Sequence, residues 1–63
     1  MTPKEIRSRR LALALSVEQL AREVGVPLDT VRALENGESP LIPLRDALEA
    51  AFARLEAART RNP

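Results

Sequence analysis

Apolar residues recur three or four positions apart in four stretches of the chain, and capping or helix-breaking residues divide them. That period predicts four amphipathic helices and no strand. The first stretch opens with "TPKE". Thr2 is placed to cap, Pro3 to take the first helical position, and Glu5 to complete a capping box. Ile6, Leu13 and either Arg10 or Leu11 follow at helical spacing, and the helix is expected to fade near Ala14 or Leu15. The second stretch opens with another box, "SVEQ", with Ser16 as cap and Gln19 three residues on. Leu20, Ala21 and Val24 form its inward stripe, and Gly25 follows as a residue able to take positive φ. The third has a poor start, because Pro27 stands where a Ser or Thr hydroxyl would accept from the first free N–H groups. Asp29 is expected to compensate through the helix dipole. Val31 and Leu34 face inward, and Asn36-Gly37 ends the helix.

A polar, proline-punctuated connection, "ESPLIPL", leads to the last stretch. Pro43 suits the first position of a helix over about 43–59, with a frayed tail at 60–63. Leu44, Leu48, Ala51, Leu55 and Ala58 fall at spacings of 4, 3, 4 and 3, a heptad-like stripe with Phe52 beside it. Either all of these cover the core of the first three helices, or the distal part (Phe52, Leu55 and Ala58) pairs with a second copy. The expected fold is all-α, a bundle of four or five helices forming one domain over 1–63.

Composition narrows the picture. A chain of 63 residues supports one small core, burying only about 60% of the surface its unfolded state exposes. There is no cysteine and no histidine, and Phe52 is the only aromatic. Disulfides and Cys-based metal sites are therefore excluded as reinforcement, and the commonest general base and the best nucleophile are both missing. The carboxylates are scattered among basic neighbours, with no Gly-rich phosphate loop and no metal-ligand spacing. No enzyme, metal or cofactor is expected. No apolar run approaches the roughly 18 residues of a membrane span, and no secretory signal opens the sequence, so the expected compartment is the cytoplasm. The net charge is +1, but the first eleven residues carry four basic groups and one acid. Such a start is either a solvated face or a nucleic-acid signal.

The third helix carries the functional expectation. On a wheel of about 100° per residue, Val31 and Leu34 lie on one side, with Leu28, Asp29, Arg32, Ala33 and Asn36 opposite. A helix braced by its predecessor with its outer face free is the helix-turn-helix arrangement, here over about 16–37. Ala21 is small where the helices approach, Gly25 lies in the turn, and Val31 enters the shared core.

With "RSRRLALALS", "QLAREVGV" and "LENG", residues 3–37 resemble the Cro/phage-repressor helix-turn-helix domains, the lambda-repressor-like, XRE-type family. The resemblance implies a DNA-binding regulator of bacterial or phage type, probing double-stranded DNA with the third helix in the major groove. It implies base contacts from Leu28, Asp29, Arg32 and Ala33. It implies phosphate contacts from the start of helix two at Ser16 and Val17. Arg7 and Arg9 either touch phosphate or solvate helix one, and Arg10 and Asn36 are further candidates for phosphate contact. The resemblance also implies an ion pair between Arg10 and Glu35 that ties helix one to the end of helix three.

The departures from that pattern thin the footprint. Val17 replaces a polar residue that would add a side-chain contact, and Pro27 replaces a hydroxyl that could touch phosphate. Leu28 could meet only a thymine methyl, pack locally, or face a protein partner. Asp29 could accept from cytosine N4 but would repel phosphate. Arg32 is the strong guanine reader, through its fork to O6 and N7. Two function classes follow. One is a sequence-specific transcriptional regulator, expected to act as a repressor and to bind as a homodimer, with no small-molecule ligand. The other is an antitoxin-like protein-interaction module on the same fold with weak or no DNA binding.

Overall fold

A computed structural model describes residues 1–60. It holds α1 (Pro3–Ala12), α2 (Val17–Val24), α3 (Leu28–Glu35), a short 3₁₀ turn (Ile42–Leu44) and α4 (Arg45–Thr60), with no strand among the described residues. The expected frayed tail lies, beyond Thr60, outside the described residues.

Local chemistry sets the helix starts. The Glu5 N–H donates to the Thr2 hydroxyl at 3.1 Å, but the reciprocal half of the expected box is altered. The Glu5 carboxylate receives the Thr2 hydroxyl at 3.4 Å instead of the backbone N–H. The box on α2 is complete: the Gln19 N–H donates to Ser16 Oγ at 3.1 Å, and the Ser16 N–H donates to Gln19 Oε1 at 2.8 Å. Pro27 precedes α3 in extended geometry and supplies no side-chain bond. Turn residues set the ends. Gly25, at φ +86°, sends its N–H to the Ala21 carbonyl at 2.8 Å. A Cβ there would meet nothing within 4 Å, so the backbone angle, not crowding, calls for glycine. The first helix stops earlier than expected, at Ala12, because Ala14 enters the left-handed region at φ +56°. The 3₁₀ turn places Pro43 outside α4, which begins at Arg45.

Ile6 of α1, Leu20 and Ala21 of α2, Val31 and Leu34 of α3, and Leu48, Ala51 and Phe52 of α4 are buried. Fully burying the Ile, Leu, Val and Phe side chains among these stabilises by about 1.5–3 kcal/mol each. Phe52 has no exposed surface, which corrects its assignment to a pairing face: the small domain has one aromatic and spends it in the middle of its own core. Of the alternatives on α1, Arg10 points inward and Leu11 is 57% exposed.

The arginines of α4 fasten it to the helix ends it passes. Arg54 donates to the Glu23 carbonyl near the end of α2 and to the Glu23 carboxylate, at 3.1 and 3.0 Å. Arg59 donates to the carbonyl of Ala12, the last residue of α1. Such groups satisfy carbonyls that a helix end leaves open.

Candidate nucleic-acid interface

α2 and α3 pack through Leu20, Ala21, Val31 and Leu34, and this packing decides which side of α3 is free. Asp29 and Arg32 are exposed on the outer side, with side-chain exposures of 89% and 61%, and Asn36 is exposed beside them. Ala33 is half-buried. Leu28 departs from the expectation of an exposed residue: it is half-buried and packs on the core. It lies about 60° around the helix from Val31, nearer the buried stripe than the outer face.

Ser16 sits at the start of α2 with its hydroxyl engaged by Gln19, which leaves the next two backbone N–H groups, of Val17 and Glu18, without helical partners. The Val17 side chain rests against the core. The turn at Gly25 therefore joins a helix start with open N–H groups to the helix whose outer face is exposed.

Arg10 is the buried centre of this unit. Its Nε and Nη2 fork onto the Glu35 carboxylate at 2.8 and 3.0 Å, and its Nη1 donates to the Leu15 carbonyl at 2.9 Å. The side chains of the pair are 10% and 7% exposed. All three guanidinium nitrogens are committed inside the fold, which corrects the expectation that Arg10 also touches phosphate. Its work is to bind the end of α1, the turn before α2 and the end of α3 into one block.

Arg9 is corrected for a related reason. Its guanidinium lies 4.4 Å from the Phe52 ring centroid and forks onto Glu56 at 3.1 and 2.8 Å. The bond between them raises the Arg9 pKa and holds the Glu56 carboxyl below its ordinary value. Arg9 is thus a strap from α1 to α4, not a free phosphate contact. Arg7 and Lys4 are exposed and take part in no ion pair among the described residues.

The rest of the charge is mostly matched within the chain. Arg22 pairs with Glu18 at 2.7 Å, Arg45 with Glu49 at 3.7 Å, and Arg32 with Asp29 at 3.6 Å. The Asn36 amide donates to Glu38 at 3.1 Å. At the expected pairing face, Leu55 is half-buried and Ala58 exposed. Sequence reasoning missed the links from Arg9 to Glu56, Arg54 to Glu23 and Arg59 to Ala12. They join residues 31 or 47 positions apart, and no local spacing marks such partners.

A family model described as a helix-turn-helix domain matches residues 4–61. The chain belongs to the lambda-repressor-like helix-turn-helix family. No curated protein and no solved structure matches it. The match extends through α4, so this helix-turn-helix domain includes the helix that straps the core, not only the two that give it its name. Membership points to DNA binding, in a family that is typically non-enzymatic. Among the described residues of the domain, no helix is long and apolar enough to cross a membrane.

Proposed function

We propose that the protein binds double-stranded DNA sequence-specifically, as a transcriptional regulator of bacterial or phage type, with α3 in the major groove. The observation that carries this reading is the division of α3: Val31 and Leu34 are sealed against α2, while Asp29 and Arg32, paired with each other, are exposed on the other side. The Arg32 fork matches guanine O6 and N7. Backbone N–H groups at the start of α2 seat a phosphate, with Arg7 and Asn36 as neighbouring contacts. In this reading the protein acts in the cytoplasm as a repressor, its bound copies blocking access to the DNA they cover. No cofactor or small ligand enters the scheme.

The footprint of one copy is small, which favours binding as a homodimer on DNA. About three phosphate contacts per copy give a log–log salt slope of roughly −3, and a pair roughly twice that. Two recognition helices about 34 Å apart read half-sites one helical turn apart. Leu55 and Ala58 are what remains of the pairing face, now that Phe52 is assigned to the core. The test is duplex binding titrated against salt for the parent and for Arg32→Ala. Salt-sensitive binding that loses sequence preference in the variant supports the reading.

One observation favours the second reading, an antitoxin-like interaction module. Arg9, Arg10, Arg22, Arg32, Arg45 and Arg54 all meet carboxylates of their own chain. Absence of duplex binding at about 50 mM salt, together with a stable complex with another protein, would favour it over DNA.

A further inference from the structure

Asp29 is an acid on the very face that the DNA reading turns toward a polyanion. It sits in the first turn of α3, and its carboxylate oxygen lies 3.6 Å from Arg32 Nη1, one turn further on. The two are about 60° apart around the helix and about 4.5 Å apart along it. That axial step is close to the rise of about 3.4 Å between successive base pairs. Seated in a major groove, the two side chains meet neighbouring base pairs, not the same one.

Their chemistries are opposite. Arg32 offers donors only, and Asp29 when ionised offers acceptors only. The major-groove edge of guanine presents two acceptors, and that of cytosine an amino donor. From this arrangement we propose that Asp29 and Arg32 act as one specificity-determining pair, selecting a guanine for Arg32 with a cytosine at the adjacent base pair for Asp29. This rests on the DNA-binding reading above and deepens it.

The carboxylate has a second effect. Away from the matching step it faces guanine or thymine acceptors, or phosphate, which repel it, or adenine, whose N6 donor lies beside the N7 acceptor and so matches a carboxylate less well than cytosine N4 does. While paired, it also cancels the charge that Arg32 would bring to any duplex. Asp29 therefore weakens binding to unmatched DNA more than binding to the matched step, trading affinity for discrimination. The near-cancelled charge of the domain is then part of how it selects, not only a sign of weak binding.

A merely structural role is the rival account, since an acid in the first turn also favours the helix dipole where Pro27 gives no cap bond. Two variants separate the accounts. Asp29→Ala removes both roles, and Asp29→Asn replaces an acceptor by an amide suited to adenine N6 and N7. Binding of the parent chain and of each variant is measured on duplexes recovered by selection, on every single-base-pair replacement of them, and on a scrambled duplex. Thermal melts confirm that the variants fold.

The pair predicts that Asp29→Ala binds scrambled duplex more tightly and lowers the matched-to-scrambled ratio about tenfold. It also predicts that Asp29→Asn moves the preference at the cytosine position to adenine, while the guanine position still answers only to Arg32→Ala. Unchanged base preference at every position in both Asp29 variants would overturn the proposal and leave DNA binding standing. Failure of the parent protein to bind any duplex would overturn the DNA reading and this proposal together.

Discussion

At the scale of single residues, Arg10 and Ala14 carry the most consequence. Arg10 was legible through the family resemblance as one half of a pair with Glu35, while a contact with phosphate stayed open beside it. Burial removes that choice, because the third guanidinium nitrogen is taken by the Leu15 carbonyl. Removing one partner of a buried pair costs about 3–5 kcal/mol, since the other charge is stranded. Total stability for a chain of this length is expected to be only about 3–9 kcal/mol. Arg10→Ala should therefore lower Tm by roughly 12–40 °C, whereas Arg10→Met combined with Glu35→Leu should restore most of the loss. Helical circular dichroism against temperature checks both, and a single Arg10→Ala variant melting within a few degrees of the parent would contradict the burial argument. Ala14 offers the opposite test. An L-residue in the left-handed region costs about 1–2 kcal/mol, and glycine returns about 0.5–1 kcal/mol of that as chain entropy. Ala14→Gly should stabilise by about 0.5–1 kcal/mol, raising Tm by a few degrees. Nothing in the pattern marked this position, because the usual sign of a left-handed residue is a glycine, and "LALALS" has none.

At the scale of elements, what could be read in advance was local. The caps at Thr2 and Ser16 and the turn at Gly25 are written within three or four residues of each helix end, so α1 to α3 were placed closely by spacing alone. The last helix was harder. Its heptad-like stripe fits both a seam with another molecule and a lid over its own core, because either needs apolar residues at the same period. The structure assigns Leu48, Ala51 and Phe52 to the lid. The arginine contacts that hold it there reach across 31 or 47 positions, beyond any local pattern. This strap has a pH signature. The Glu56 pKa is depressed by its bond to Arg9 in the folded state. Its contribution is thus present above the ordinary carboxylate range and is lost as pH falls through the depressed value. The Arg9 and Glu56 side chains are 34% and 43% exposed, so solvent screening limits the effect to about 0.2–1 kcal/mol. Glu56→Gln should lower Tm slightly at neutral pH and flatten the decline of Tm as pH falls below the ordinary carboxylate range. A variant that follows the parent's curve throughout would show that the strap adds nothing to stability.

At the scale of the whole molecule, the fold makes a rigid block with one free helix face and little surplus charge. The face was visible in the sequence because Val31 and Leu34 mark its opposite side. Leu28 was misplaced because position alone did not reveal how far the core wraps around α3. The charge pattern was only half visible: the composition gave a net charge of +1, while the pairing that buries Arg10 and ties Arg9 to Glu56 required the fold. On the proposed reading, the molecule relies on few phosphate contacts, on the chemistry of α3, and on a second copy for reach. A monomeric complex should show a salt slope near −3 and a dimeric one near −6, both roughly, which sedimentation of the complex can check independently. The central claim is that α3 presents Arg32 to base edges. Selection of duplexes from a randomised pool at about 50 mM salt, run in parallel with the parent and with Arg32→Ala, tests it most directly. The account predicts a guanine-containing, palindromic consensus for the parent, with the guanine position relaxed in the variant. Recovery of no consensus, or of the same consensus from both proteins, would contradict it.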